Sequence, residues 1–325
     1  MSMNVCVVGC GAIGPIHIKA LNDSEYTNIY AVCDIIPERA DKFASEYGAK
    51  AFYKFEECLT DPDIDAVHIC TPHYLHYKMI SESLDAGKTV VSEKPLVMKK
   101  EEFEQLLKRD DLDKLCAVIK NRFNNSVIAM KELVDCQKFG KVIGARAFVT
   151  WNRTDEYYAS EEWRGRWDTE GGGVLINQTI HTLDYFCHIA GGIKSVKANM
   201  YNYSHQNSIE VEDTMVAYIT LNNEAPAIFM ATNSYAENST PLFEITFEKG
   251  SARYVDNALW VNGEAIAVYQ IARTAKPYWG MGHKTLIDNF YGQGKFYGIN
   301  DVKNTMESVF AIYESAKSNG KPINV

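Results

Sequence analysis

Glycines at 9, 11 and 14, set directly behind the apolar run Asn4–Val8 (NVCVV), constrain this chain more than any other feature. The run reads as a buried strand. The spacing Gly9-Cys10-Gly11-Ala12-Ile13-Gly14 then turns the backbone into a helix near Ile13–Leu21. Each glycine has its own physical reason: Gly9 permits the tight turn, Gly11 lets the backbone approach a pyrophosphate, and Gly14 lets helix and strand pack closely. The start of the helix adds free amides and the positive end of its dipole. Asp34 lies 20 residues after Gly14, at the end of a second strand, Ile29–Cys33. A carboxylate there can accept hydrogen bonds from ribose hydroxyls and repels a 2′-phosphate. Ile35 and Ile36 bring no cation, and Arg39 lies a turn into the next helix, so the reading favours NAD over NADP.

The alternation continues. Strands are expected at Ala66–Cys70, Thr89–Ser92 and Leu115–Ile119, with helices at Pro37–Tyr47, Tyr74–Asp85 and Lys99–Lys108 between them. Near-continuous apolar strands joined by helices imply a doubly wound parallel sheet covered on both faces. After about Asn121 the pattern changes. A helix near Ser126–Cys136 and a strand Val142–Trp151 lead into an aromatic, arginine-bearing stretch, 151–167. The triple glycine 171–173 then opens a helix reaching about Ala190. Strand-like segments follow at 195–203, 214–221, 227–235, 242–248 and 252–255, and a helix at 302–318. Met215, Ala217, Ile219 and Leu221 fall on one face of their segment, the period of an antiparallel sheet with one wetter side. The fold class is α/β: a Rossmann domain, 1–121, then an α+β domain, 122–325, built on a large open, mostly antiparallel sheet. The helix 302–318 is able to pack back on the first domain.

Composition narrows the partners. With 325 residues, 46% hydrophobic and 23% charged, the chain is an ordinary globular protein of two domains. Its 33 Lys and Arg against 42 Asp and Glu give −9, which argues against a broad nucleic-acid or anionic-membrane footprint. Eight cysteines, none in a Cys-x-x-Cys pair, several in apolar runs, read as buried structural thiols in a reducing compartment. No secretory leader or run of about 18 apolar residues is apparent, so a soluble, cytoplasmic protein is expected.

Three further motifs carry candidate chemistry. Thr71-Pro72-His73-Tyr74-Leu75-His76 and Glu93-Lys94-Pro95 each follow a strand, at the carboxyl edge where open parallel sheets bind ligands. In GGGVLINQTIHTLDYFCH (171–188), Asn177, His181, Asp184 and His188 fall on one stripe of a regular helix, opposite Ile176, Ile180, Leu183 and Phe186. His181, Asp184 and His188 have metal-compatible spacing, but no thiolate or further carboxylate cluster supports an ion, and no metal is assigned.

Taken together, these pieces resemble the Gfo/Idh/MocA family, named for glucose–fructose oxidoreductase and inositol dehydrogenase. The glycine motif followed by His17, the Thr-Pro…His segment, Glu93-Lys94-Pro95, Asn121-Arg122-Phe123 and the GGG…His181…Asp184 helix occur in the family's order across nearly the whole chain. The resemblance implies a Rossmann domain, a second domain whose open sheet forms subunit contacts in a homodimer or homotetramer, and NAD as cofactor. It implies a cofactor-binding set of Gly9, Gly11, Ala12, Ile13, Gly14, Asp34, Thr71, Pro72, His76, Glu93, Lys94 and Asn121. The family's catalytic lysine falls on Lys94 and its histidine on His181. Where many members have an aspartate four residues before that histidine, this chain has Asn177, so a full Lys–Asp–His relay is not expected. The Asn177-Gln178-x-x-His181 pattern and Trp163-Arg164-Gly165 are similar to a subset of which some act on nucleotide sugars.

The expected activity is hydride transfer between a secondary alcohol of a sugar, sugar derivative or cyclitol and the nicotinamide. His181 is the candidate base, since an unperturbed imidazole pKa of about 6.5 is poised for proton transfer. Lys94 is the candidate cation on the same hydroxyl. Arg122, Trp163, Arg164 and Asn177 complete the expected substrate set with these two. Trp151, Tyr157, Tyr158 and Trp167 offer further ring faces, and Arg153 and Arg166 further cations for a carboxylate or phosphate. Two rivals stay open: an NAD-dependent glycosidase working by transient oxidation, and a non-catalytic NAD or sugar sensor. Net NADH accumulation separates the first from a dehydrogenase.

Overall fold

The structure is a computed structural model that describes residues 2–255, 258–268, 282–293 and 297–325. The chain divides into two compact units, Met1–Lys120 with Met281–Val302 and Asn121–Gly280 with Lys303–Val325.

In the first unit, six strands form one parallel sheet: β1 (Met3–Val8), β2 (Thr27–Cys33), β3 (Lys50–Phe52), β4 (Ala66–Ile69), β5 (Thr89–Ser92) and β6 (Leu115–Ala117). Their order is β3-β2-β1-β4-β5-β6. The chain steps outward from β1 to β3 and then returns to the other side of β1 with β4. That reversal lies between β1 and β4, and ligands bind beyond the carboxyl ends of the strands at such a point. Val5–Val8, Ala66–Ile69 and Val90–Ser92 are buried residue after residue, as strands covered on both faces must be. β3 and the helix Phe55–Thr60 were not legible in the sequence. β3 is three half-exposed or exposed edge residues with no apolar run to announce it.

In the second unit the described strands are β7 (Val142–Thr150), β8 (Ile193–Tyr201), β9 (Thr214–Leu221), β10 (Pro226–Thr232), β11 (Leu242–Phe247), β12 (Gly250–Val255), β13 (Ala258–Val261), β14 (Glu264–Val268) and β15 (Ile323–Asn324). They form one sheet in the order β14-β13-β12-β11-β7-β10-β9-β8-β15. β7 and β10 pair parallel and the other neighbours antiparallel. Alternation decides the faces: Met215, Ala217, Ile219 and Leu221 are buried, whereas Tyr218 is 62% exposed. The helix Ile180–Ala190 covers the buried face, where Phe186 meets Phe229 and Phe243 edge-on at centroid distances of 5.9 and 5.6 Å.

The GGG segment departs from one regular helix. Val174–Gln178 form a wider π turn, Thr179 breaks the path, and the α-helix begins at Ile180. The cause is local. The buried Glu212 carboxylate accepts the N–H groups of Gly173 (2.9 Å) and Leu175 (3.0 Å), and the Thr179 hydroxyl donates to the Val174 carbonyl at 2.9 Å. The turn takes Asn177 off the straight stripe expected for it.

Candidate active site

The glycine loop separates its packing glycines from its open one. A Cβ on Gly9, at φ +94°, would lie 2.5 Å from the Cys70 carbonyl oxygen, and one on Gly14 would lie 2.1 Å from the Gly9 oxygen. A Cβ on Gly11 would meet only Arg39 Nη1, at 4.0 Å. Gly9 and Gly14 therefore let chain elements touch, and Gly11 leaves room for something outside the chain, which fits a dinucleotide's pyrophosphate. Ala12 is exposed and Ile13 half-buried on the same turn. Asp34, 7% exposed, ties this loop to the end of β2: Cys10 N–H donates to Oδ2 at 2.8 Å and Ile36 N–H to Oδ1 at 2.9 Å. A carboxylate oxygen offers about two acceptor positions, so each retains one beyond its amide. Burial, with the Asp34 charge beside it, pushes the Cys10 thiol up to about 12 and keeps it neutral.

Beyond β4 and β5 lie Thr71, Pro72, Glu93 and Lys94, the first two half-buried. His76 is fully buried, with Nδ1 2.7 Å from the Pro95 carbonyl oxygen and Nε2 2.9 Å from that of Thr71. It straps the two loops together from behind. Glu93 likewise faces inward. Its Oε2 accepts the Lys94 N–H at 3.1 Å, and its Oε1 lies 3.1 Å from His17 Nε2 and 3.3 Å from His283 Nε2. Burial raises the Glu93 carboxyl, but the hydrogen bonds from His17 and His283 hold it well below the usual carboxylate range. Burial first, with neighbouring imidazoles adding to it and Glu93 opposing it, pushes His283 down to about 4 and His68 well below its ordinary value. One assignment of protons satisfies the whole cluster. An anionic Glu93 accepts from His17 Nε2–H and His283 Nε2–H. His17 Nδ1 accepts from His68 Nδ1–H at 2.9 Å, and His68 Nε2 accepts from the Tyr291 hydroxyl at 2.9 Å. The atoms on His17, Glu93 and His283 lie within 4.8 Å of one another, a spacing a cation could use, yet hydrogen bonds already employ every one. Lys120, buried in the same unit, is pushed down to about 8 by burial, against the pull of Glu93 and with the like charge of Lys94. His68, His283 and Tyr291 carry no local motif, and only the fold brings them to Glu93.

In the second unit, His181 is half-exposed at the start of its helix, and Asn177 is 8% exposed in the π turn. Asp184 does not line a solvated stripe. It accepts Nε and Nη2 of Arg122, both at 2.8 Å, and the Thr305 hydroxyl at 2.9 Å. Arg122 is itself 5% exposed, so its fork is spent on a buried pair that fastens the turn Lys120–Phe123 to the helix. Asn121 is half-buried, and its Oδ1 has no partner among the described residues. Trp163 and Arg164 are half-buried. The Arg164 guanidinium lies over the Tyr157 ring at 4.4 Å and that of Trp163 at 5.4 Å. Glu170 and Glu212 are fully or nearly fully buried beneath the GGG turn, and nothing in the sequence around either acidic residue marks it for burial.

Residues 3–119 match the family model for an oxidoreductase family with an NAD-binding Rossmann fold, and 127–253 match the Gfo/Idh/MocA C-terminal domain. The chain belongs to the Gfo/Idh/MocA family. It is an NAD-binding oxidoreductase of that family. Among curated relatives, an uncharacterized oxidoreductase of Synechocystis sp. is 28% identical over 77% of this chain and 71% of its own length. An inositol 2-dehydrogenase of Rhizobium meliloti is 30% identical over 57% and 54%. Among solved structures, the WlbA dehydrogenase of Chromobacterium violaceum, in complex with NADH and UDP-GlcNAcA, is 26% identical, with a TM-score of 0.89 over 100% of this chain and 96% of that one. Among the described residues, no helix is long and apolar enough to cross a membrane.

Proposed function

We propose that this Gfo/Idh/MocA protein oxidises a secondary alcohol of a sugar or cyclitol derivative, with nucleotide sugars as the leading substrate class. The observation that carries the reading is the segment Asn177-Gln178-Thr179-Ile180-His181, in a chain similar along its whole length to a dehydrogenase crystallised with NADH and UDP-GlcNAcA. Gly9–Gly14 and Asp34 are the residues that would hold NAD, which would supply the hydride acceptor. His181 accepts the proton of the substrate hydroxyl, and the Lys94 ammonium binds that hydroxyl and stabilises its developing negative charge. Glu93 and His76 support this chemistry from behind, by fixing the backbone on either side of Lys94. Asn177 cannot take a proton and serves as a polar contact to substrate or histidine. Trp163 and Arg164 contribute a ring face and a cation to the sugar and its anionic group, and Arg122 acts through Asp184.

The protein is proposed to work as a homodimer or homotetramer through the nine-stranded sheet. Its eight free thiols, seven of them buried, suit a reducing cytoplasm. The test of function is a screen of polyols, sugar acids and nucleotide sugars, UDP-GlcNAcA included, read as NADH formed. Net NADH from a member of these classes supports the reading. Substrate cleavage without net NADH replaces it with the glycosidase, and NAD binding without any turnover replaces it with the sensor.

A further inference from the structure

Glu170 lies in the second unit between two stretches assigned above to substrate, the Trp163-Arg164-Gly165 turn and the Asn177…His181 segment. Its side chain is 0% exposed. Oε2 accepts the Gly165 N–H, and Oε1 accepts Nδ2 of Asn177. The charged and titratable groups that act on it include Arg164 from the turn, Glu212 from the segment before β9, Tyr158 from the helix Asp155–Ala159 and Tyr313 from the helix Ile299–Lys317.

An ionised carboxylate can only accept hydrogen bonds, so it can face only the NH2 end of an amide. A protonated one carries an O–H that can donate to the amide oxygen. The charge on Glu170 therefore sorts the two ends of the Asn177 side chain. We propose that Glu170 is a positioning residue of the candidate active site: ionised, it turns the Asn177 oxygen away from itself as an acceptor; protonated, it takes that oxygen as its own partner and turns the NH2 away as a donor. The site thereby presents one of two hydrogen-bonding faces to a sugar hydroxyl. This rests on the reading of Asn177 as a substrate-side residue. Burial pushes the Glu170 carboxyl up to about 7, against the hydrogen bonds from Gly165 and Asn177. Glu212 adds to the rise and Arg164 opposes it, so both states are populated near neutrality.

The test follows the side-chain NH2 resonances of the full-length protein, labelled with 15N-asparagine, from about pH 5 to about pH 9. Asn177→Ala assigns the signal by its loss. The expected result is a single step in the Asn177 signal near neutrality that is absent from Glu170→Gln, whose side chain cannot ionise. A flat Asn177 signal in the wild type, or the same step in Glu170→Gln, overturns the proposal. If Glu170→Gln does not fold, infrared titration of the buried carboxyl band in the wild type and in Asn177→Ala decides. Losing the amide donor should move the midpoint upward, and an unchanged midpoint overturns the proposal. Neither measurement needs turnover, so absence of dehydrogenase activity would sink the functional reading alone.

Discussion

Residues whose role depends on a neighbour far along the chain carry no local mark of it in the sequence. Arg122 looked like a substrate cation, but its guanidinium is held by Asp184, 62 residues away, and no spacing rule could have linked them. His76 and Glu93 stand in motifs of the cofactor edge, yet their side chains point inward and bind carbonyls, histidines and an amide. Asp34 was more legible, because the end of the second strand fixes where its carboxylate lies. It should discriminate against the 2′-phosphate of NADP, so Asp34→Ser is expected to narrow the gap between NAD and NADP affinities. Titrating both cofactors by intrinsic fluorescence measures this, and equal or tighter NADP binding by the wild type would contradict it. Lys94 and His181 carry the chemistry in the proposed function. Replacing either by alanine should lower turnover about 10²–10⁴-fold. NAD affinity should stay near wild type for His181→Ala and weaken modestly for Lys94→Ala. Steady-state kinetics with separate NAD titrations decide the point: near wild-type turnover in His181→Ala would move the base to Lys94, Tyr157 or Tyr158.

At the scale of elements, β1, β2, β4, β5, β6 and the longer helices between them are legible, because apolar runs and helical periods alternate there, whereas β3 and the helices Phe55–Thr60 and Gly282–Asp288 of the first unit are too short to announce themselves. The GGG segment was visible as an element but not in its shape. Its π turn is imposed by Glu212, which lies beyond β8 in sequence and holds Gly173 and Leu175 by their amides. A Cβ on Gly173 would lie 1.9 Å from the Glu212 carbonyl oxygen, so backbone would have to move. Gly173→Ala should therefore destabilise by about 1–3 kcal/mol, the usual range for overpacking. Gly144→Ala, whose Cβ would meet nothing nearer than 3.6 Å, serves as control in the same urea titration. Equal midpoints for the two variants would show that the turn yields. Glu170 adds a pH dependence to this element. Its folded pKa is raised from 4.5 to about 7, so its contribution to stability is fully present below about 4.5 and is lost as pH rises to about 7. The loss is on the order of 3 kcal/mol. Glu170→Gln should remove that slope, and urea midpoints measured across the window would reveal a slope that persists.

For the whole molecule, the sequence revealed the change from a parallel to a mostly antiparallel architecture, because the period of burial itself changes after Asn121. It could not reveal the strand order of the second sheet. There β7 sits between β10 and β11 and pairs parallel with the first of them, a non-local choice that no local pattern encodes. The register does place a row on the face opposite the core: Val216, Met230, Phe148 and Leu242 are paired across β9, β10, β7 and β11. Val216, Met230 and Phe148 each alternate with deeply buried neighbours, as Met230 does between Phe229 and Ala231, Leu242 adjoins the buried Phe243, and all four are half-buried within one chain. The next row on that face includes Tyr218, 62% exposed, and an Arg146–Glu244 ion pair at 3.1 Å. A contiguous apolar row flanked by aromatic and paired charged groups is the composition of a surface that another subunit covers. Light scattering at micromolar concentration should therefore give a multiple of 36.6 kDa. Met230→Glu places a carboxylate in the middle of the apolar row, where a second sheet would have to desolvate it. It should shift the particle to 36.6 kDa while the far-ultraviolet circular dichroism stays unchanged. A wild-type mass of 36.6 kDa would sink the assembly, and an oligomer that survives Met230→Glu would move its interface to another face.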